Sequence, residues 1–327
     1  MSRRGIHKRL AKLARWIGNE PLAGVASHPF PWREKHTPYY VQYPLENADG
    51  HGGYTRLYRF DADGVPFRTS ADDAPLYDPL VVARYARRMH AIGSEHGDSQ
   101  AQARARALLA PLMASAGAEA TWDIGASATG MQGTPHANVQ GEVISTLLRL
   151  HDGAPDRETR ETLARACASL WRPVEDGGCR TDLYGGPFLE EYPRSQVRHV
   201  LGGCITGLFG LYDIADVLAD SLAIRAAREL EEHIARLLPR FLTPSGWSLY
   251  ALDVHGVRYR ASLHYHQSRA FKLRVIDARR PDLGLGGLLD KWEAAPQNAG
   301  RRLHAAFEKS AQVFWLRYVR RLPLREA

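Results

Sequence analysis

The stretch PLVVARYARRMHAIG, residues 79–93, indicates the fold class, because it joins a first-turn proline to apolar residues at helical spacing and a closing glycine. Similar patterns recur at roughly 99–116, 138–152, 157–171, 196–219, 221–240, 262–275 and 300–318. Linkers rich in glycine and proline separate them, as in TPSGWS at 243–248. We therefore predict a mainly α-helical protein in which helical hairpins form an (α/α) toroid.

The region before this helix has a different composition. YTRLYRFDADGVPFRT, residues 54–69, alternates apolar and polar residues around Asp63-Gly64, a pattern typical of a β-hairpin. We expect an N-terminal helix and hairpin region over residues 1–75 and a toroidal catalytic domain over residues 76–327.

Composition is that of a globular chain, and the moderate positive charge suits an anionic partner such as nucleic acid, an acidic polysaccharide or a membrane surface. A GC-rich genome that favours Arg over Lys would explain the surface arginines equally well. The 327 residues are 44% hydrophobic and 24% charged, with a net charge of +7. No apolar run approaches the ~20 residues of a membrane span, and no signal peptide is evident. The basic start SRRGIHKRLAKLAR places Leu10, Leu13, Ala14 and Ile17 on one helical face, which suits packing onto the domain or contact with a membrane surface. We expect a cytoplasmic protein, with membrane association through this helix as an alternative.

Several common functional signatures are absent. There is no GxGxxG, GxxxxGK[ST], HExxH or GxSxG pattern, which argues against nucleotide binding, zinc proteolysis and an esterase elbow. The cysteines Cys167, Cys179 and Cys204 have no paired spacing, which argues against a disulfide framework or a zinc site. We expect no cofactor and no metal.

Three loops carry the residues suited to chemistry. GGPFLEEYPRS, residues 185–195, sets Glu190 and Glu191 beside Tyr192; GWSLYALDVHG contains Tyr250; and SLHYHQSRAFKL contains the remaining candidates, His264, Tyr265, His266 and Arg269. On composition alone the glutamates could be solvated, Tyr250 could be a packing residue, and the two histidines could bind a metal only with further ligands.

The order of these motifs resembles the C-terminal helical domain of the D-glucuronyl C5-epimerases. The matching segments are Glu190 to Pro193, Gly210 to Asp213, Gly246 to Leu252 and Tyr265-His266. Upstream, ANVQGEVISTLLRL and YDPLVVARYARR resemble two further helices of that family, so the resemblance covers most of residues 75–275. Two features depart from the family: only about 45 residues separate YARR from ANVQG, where the animal enzymes carry a large β-domain, and Asp253 stands where an arginine is expected.

The resemblance implies epimerisation of D-glucuronate to L-iduronate in a heparosan-like chain. Such chemistry removes a proton α to a carboxylate and returns one to the opposite face, which requires two proton-transfer groups and donors for the carboxylate. We assign these two roles to Glu191 and Tyr265, with Tyr192 and Tyr250 lining the sugar site or polarising the carboxylate. A second glutamate nearby and partial desolvation would raise the pKa of Glu191 toward neutrality.

The remaining candidates would bind substrate. Arginine can grip a carboxylate through two parallel hydrogen bonds, and we expect Arg258 or Arg260 to replace the missing family arginine. Gln140 and His266 would contact sugar hydroxyls. The full substrate-binding set is Gln140, Glu190, Arg194, Arg198, Arg258, Arg260, His266 and Arg269. The alternatives are a polysaccharide lyase or uronyl hydrolase on a similar toroid, or a non-catalytic glycan-binding protein. The expected partner is an acidic polysaccharide and not nucleic acid, and homodimer formation is left open.

Overall fold

The protein is described here from a computed structural model, which covers residues 58–69, 73–123, 134–193, 197–254 and 257–319. These residues fall into two compact units. The N-terminal unit contains described residues between 58 and 193 together with 203–234, and the C-terminal unit contains 197–202 and the described part of 235–319. Helices predominate in both, which confirms the predicted mainly α class. The predicted N-terminal amphipathic helix lies outside the described residues, and the predicted division at residue 75 stays a prediction.

The N-terminal unit begins with a small antiparallel sheet. Its strands are β1 (Arg59–Phe60), β2 (Pro66–Thr69) and β3 (Pro75–Leu76), in the order β1-β2-β3. Arg59 pairs with Phe67, so the predicted hairpin around Asp63-Gly64 is confirmed. The Asp61 carboxylate stabilises the turn by accepting hydrogen bonds from the main-chain N–H groups of Asp63 and Val65.

Three helices follow: α1 (Pro79–His96), α2 (Ser99–Ala107) and α3 (Leu109–Ala114). Asp78 caps α1 by accepting from the Leu80 N–H, and Gly97 ends the helix in the left-handed conformation. The sequence placed this end at Gly93, which was wrong. Gly93 lies inside α1 because α2 passes close to it: a Cβ there would come within 3.0 Å of the Gln102 main-chain nitrogen.

Four longer helices complete this unit: α4 (Ala137–Leu150), α5 (Arg157–Trp171), α6 (Leu201–Leu218) and α7 (Ser221–Leu237). Helix α4 is buried along almost its whole length. Its two interior charges are both paired, Glu142 with Arg87 of α1 and Arg149 with Asp213 of α6. Pairing of this kind is what makes buried charge tolerable. Strands β4 (Arg180–Asp182) and β5 (Pro187–Leu189) form an antiparallel hairpin between α5 and α6.

Within the described residues, α6 alone is long and apolar enough to cross a bilayer by length and composition. Its mean hydropathy is 1.4, and 72% of the segment is buried inside the protein. The burial of α6 and its ion pair through Asp213 are those of a core helix.

The C-terminal unit contains strands β6 (Val197–Val200) and β7 (Ala251–Val254), which pair antiparallel, and helices α8 (Leu263–Arg279), α9 (Gly286–Ala294) and α10 (Ala299–Phe314). A π-helical turn, Trp315–Val319, extends α10. Part of the core is a cluster of Trp247, Leu263, Ala295, Ala305 and Ala306. The sequence predicted a helix from 196, so the strand at 197–200 corrects that prediction.

Candidate active site

The two adjacent glutamates follow strand β5 of the N-terminal unit. The turn before β5 needs both glycines: Gly185 has φ 82°, and a Cβ on Gly186 would come within 2.6 Å of the His233 ring. The main chain of Glu190 then ties the hairpin to α4, donating to the Cys179 carbonyl at 2.7 Å and accepting from the Ala137 N–H at 3.1 Å. The GG…EEY stretch is therefore fixed in place by main-chain bonds.

The side chain of Glu191 is buried against helix α6. A Cβ on Gly203 would come within 2.6 Å of the Glu191 carboxylate oxygen Oε2 and 2.7 Å of Cγ. Only a glycine at position 203 leaves room for this carboxyl group. Helix α6 thus forms a recess that accommodates the side chain of Glu191, the predicted acid/base.

His136, which the sequence reasoning missed, supports the same stretch. Its Nδ1–H donates to the Glu191 carbonyl at 2.6 Å, and its ring meets the Tyr192 ring edge-on at 5.7 Å between centroids. Burial lowers the pKa of His136, while the bond to the Glu191 carbonyl acts in the opposite direction. The feature of the sequence that could have identified His136 is its position directly before the ANVQG helix. There it occupies the N-cap position of α4 without a side-chain cap bond.

Gln140 lies one turn further along α4 and is fully buried. Its amide nitrogen donates to the Trp122 carbonyl at 2.8 Å, and its Oε1 has no hydrogen-bond partner among the described residues. Its predicted contact with a substrate hydroxyl stays a prediction.

The C-terminal unit brings three predicted residues together: Tyr250, Tyr265 and Arg269. Tyr250 precedes β7, and Tyr265 lies in the first turn of α8, where Ser262 caps the helix. The Tyr250 and Tyr265 rings meet edge-on at 5.2 Å, and the Arg269 guanidinium lies 5.0 Å from the Tyr250 centroid and 5.8 Å from the Tyr265 centroid. Arg269 also donates to the Leu249 carbonyl at 2.7 Å, which fixes its direction.

Two further residues complete this tyrosine cluster, and neither was a sequence candidate. Tyr259 packs edge-on against Tyr250, with ring centroids 6.1 Å apart. Lys309 of α10 places its ammonium 3.2 Å from the Tyr259 centroid and 5.8 Å from the Tyr250 centroid. The same ammonium donates to the Arg260 carbonyl at 2.8 Å. Two buried cations, Arg269 and Lys309, therefore face the Tyr250 ring.

His266 is held inside the C-terminal unit. Its ring stacks between Trp247, at 4.5 Å, and Trp292, at 5.7 Å. Its Nε2–H donates to the Trp292 carbonyl, and its Nδ1 accepts from the Ser248 N–H. Burial lowers the pKa of His266 to about 3. A sugar hydroxyl could bind His266 only by displacing one of these hydrogen bonds, so the predicted contact with substrate stays a prediction. The same bonds hold the start of α8 in position.

The predicted arginines occupy different environments. Arg260 is buried in an ion pair with Glu308 and donates to Thr243 Oγ1, whereas Arg258 is exposed. With Leu249 and Gln312 they line an open cleft of about 240 Å³. Arg194 and the side chain of Arg198 lie outside the described residues. At the position of the family arginine, Asp253 is an exposed residue of β7 that pairs with the Arg198 main chain.

The described part of the chain shows neither a cluster of metal ligands nor an exposed cysteine. No group of three or more His, Cys, Asp or Glu side chains there is arranged to hold a metal ion. The cysteines are buried, and burial raises the pKa of each thiol, to about 12 for Cys167.

Comparison with known proteins agrees with this arrangement of motifs. A family model for the D-glucuronyl C5-epimerase C-terminus matches residues 121–294, a little over half of the chain. A D-glucuronyl C5-epimerase of Caenorhabditis elegans is 28% identical over 170 residues, which are 48% of this chain and 28% of that protein. The chain therefore spans well under two thirds of that relative's length. Lys309 lies beyond the matched segment.

Proposed function

Because the chain belongs to the D-glucuronyl C5-epimerase C-terminal domain family, we propose that it inverts C5 of D-glucuronate residues in a heparosan-like polysaccharide to give L-iduronate. The observation that best supports this activity is the cluster of Tyr250, Tyr259 and Tyr265 with the cations Arg269 and Lys309. The proposal includes the (α/α) toroid as the arrangement of the helices.

In the first step the C5–H bond breaks and its proton passes to the carboxylate of Glu191. The electron pair moves toward C6, so that an enolate-like intermediate carries extra negative charge on the substrate carboxylate. In the second step the hydroxyl of Tyr265 gives its proton to C5 from the opposite face. Glu191 then releases its proton to solvent and Tyr265 regains one, so atoms and charge balance.

The cations explain why a tyrosine cluster would suit this chemistry. A phenol is a poor acid–base group at neutral pH unless positive charge stabilises the phenolate. Arg269 faces both Tyr250 and Tyr265, and Lys309 faces Tyr250 and Tyr259. In a site from which water is excluded, such charges would also stabilise the enolate-like intermediate.

Lys309 offers a replacement for the family arginine that Asp253 displaces. Arg260, the sequence candidate for this role, is committed to Glu308. Lys309 is buried and lies against the tyrosine rings, where a positive charge has its largest effect. We therefore assign the missing charge to Lys309, together with Arg269.

The proposed partner is an anionic glycan and not nucleic acid. Glu190 and Glu191 would repel a dense phosphate backbone, whereas a chain with one carboxylate per disaccharide tolerates them. Competition at matched ionic strength tests this choice, because both polyanions bind in a salt-sensitive manner. Tighter binding to DNA or RNA than to heparosan would overturn it.

The activity is tested by incubating the protein with heparosan and following three products. Epimerisation gives iduronate signals by NMR with no change in chain length. A lyase would give an ultraviolet-absorbing unsaturated uronate, and a hydrolase would give new reducing ends without it. Either of the latter products, in the absence of iduronate, would replace the proposal. Binding without any product would leave a glycan-binding protein.

A further inference from the structure

The cleft beside Arg258 lies in the C-terminal unit and has no part in the chemistry proposed above. Its volume is about 240 Å³, which is less than the ~300 Å³ of the smallest pockets that hold a drug-sized ligand. Pro244 and Leu249 supply an apolar wall, and Thr243, Arg258 and Gln312 supply polar groups. An open recess of this size and mixed lining suits one sugar residue of a chain that continues into solvent.

The cleft and the tyrosine cluster lie on opposite sides of one extended segment. Arg258 and Arg260 line the cleft, whereas Tyr259 between them packs against Tyr250 in the cluster. The segment is extended where Arg260 pairs with Leu249 across an antiparallel bridge. Successive side chains of an extended segment point to opposite sides. A uronate residue that reacts in the tyrosine cluster therefore does not fill the cleft.

Arg258 is the cation of this cleft that stays available to a ligand. It is exposed, forms no ion pair with a described residue, and donates one long hydrogen bond, of 3.5 Å, to the Leu242 carbonyl. Arg260 is instead buried in its ion pair with Glu308. The lining thus holds two arginines against one glutamate, an excess of one positive charge. One carboxylate balances that charge, whereas a densely charged ligand would be repelled by Glu308.

The main chain that carries Arg258 is held by Gln312 of helix α10. The Gln312 amide nitrogen donates to the Arg258 carbonyl at 2.8 Å, and its Oε1 accepts from the Arg260 N–H at 3.0 Å. A guanidinium on a fixed main chain loses less freedom when it grips a carboxylate through two hydrogen bonds. Helix α10 follows the segment matched by the family model, so part of this cleft lies outside the matched residues.

We propose that this cleft is a second sugar subsite, in which Arg258 binds the carboxylate of a uronate residue further along the glycan than the reacting one. The inference rests on the proposed function for the identity of the glycan. Because a heparosan-like chain carries one carboxylate per disaccharide, every second sugar offers a further carboxylate. The sugar ring would lie against Pro244 and Leu249, and Arg258 would add affinity without touching the reacting atoms.

Isothermal titration calorimetry of the full chain with heparosan oligosaccharides tests the subsite. Arg258→Gln should raise Kd by about three- to tenfold, because an exposed ion pair contributes modestly and two parallel hydrogen bonds strengthen it. Arg225→Gln is the matched control and should bind like wild type, since Arg225 is an exposed arginine of α7 that lines no part of the cleft. Oligosaccharides whose carboxylates have been reduced to alcohols should bind wild type and Arg258→Gln alike.

Equal Kd values for Arg258→Gln and wild type would overturn the subsite, as would a folded wild-type protein that does not bind heparosan. An equal loss in Arg225→Gln would show general charge attraction instead, and a loss in Arg258→Gln that persists with the reduced chains would exclude the carboxylate. The epimerase proposal fails separately. A protein that binds heparosan through Arg258 yet forms no iduronate would retain the subsite and exclude the activity, whereas an active protein whose binding is independent of Arg258 would do the reverse.

Discussion

Replacing Gly141 by alanine should destabilise the N-terminal unit, because Gly141 is where α4 crosses α6. A Cβ at this position would come within 2.6 Å of the Thr206 carbonyl carbon, closer still to its oxygen, and within 2.9 Å of the Gly207 nitrogen. Comfortable separations between non-bonded atoms are about 3.5–4.0 Å. The obstructing atoms are helix backbone and cannot rotate aside, so α4 and α6 must move apart by about 1 Å.

The magnitude follows from two opposing effects. Alanine is favoured over glycine inside a helix by up to about 1 kcal/mol. Overpacking costs about 1–3 kcal/mol, and here it also separates two buried helices that share the Arg149–Asp213 ion pair. We expect a net loss of about 1–2 kcal/mol, which lowers Tm by about 2–8 °C for a unit of this size.

Thermal and urea unfolding followed by circular dichroism measure this loss. Gly287→Ala is the matched control, since Gly287 lies in the first turn of α9 and a Cβ there would meet nothing within 4 Å. It should be neutral or slightly stabilising. A Gly141→Ala protein as stable as wild type, or a Gly287→Ala protein that loses as much, would refute the close-crossing argument.

Three further predictions concern the candidate site. Glu191→Gln and Tyr265→Phe should each lower kcat by about 10²–10⁴-fold with little change in Tm; near-normal turnover in either variant would remove that residue from the assignment. Lys309→Met should lower kcat while Lys309→Arg retains most of it, and equal activity of Lys309→Met and wild type would exclude the charge as a contributor. The folded-state pKa of His266 is about 3, whereas the unfolded value is ~6.5. The free energy of unfolding is therefore unaffected by this histidine above pH ~6.5, and it declines by about 1.4 kcal/mol per pH unit as the pH falls from there toward 3. Urea unfolding at several pH values should show a shallower acid decline for His266→Gln, and parallel profiles for both proteins would contradict this linkage.

Local signals in the sequence accounted for most helices. Pro79 begins α1 as predicted, and helix α5 runs over 157–171 as the pattern indicated. The error at Gly93 has a tertiary cause, because the glycine serves the close approach of α2 and the helix ends only at Gly97. A glycine required for a helix contact and a glycine that ends a helix look the same in a single sequence.

Long-range pairing was the main part that the sequence could not reveal. Strand β6 pairs with β7 more than fifty residues later, and it runs directly into α6 with no linker between Val200 and Leu201. Helix α9 was missed because GGLLDKWEA follows a glycine-rich linker that reads as a loop. These elements depend on partners that are distant in the chain.

The candidate site was predicted where motifs are local and missed where contacts are distant. Tyr250, Tyr265 and Arg269 were identified from motif order, and the structure brings them together. Lys309 carries no motif and reaches the tyrosines from a helix beyond the family segment. His136 was next to a recognised motif, yet only its bond to the Glu191 carbonyl reveals its part in the site.

Hydrogen exchange at C5 tests the central claim most directly, because it reports proton abstraction even when net conversion is small. Heparosan would be incubated with the protein in D2O and the uronate residues analysed by NMR and mass spectrometry. The account predicts deuterium at C5 in the presence of wild-type protein and its loss in Tyr265→Phe. A folded wild-type protein that introduces no deuterium at C5 of heparosan or any other uronate polysaccharide would contradict it.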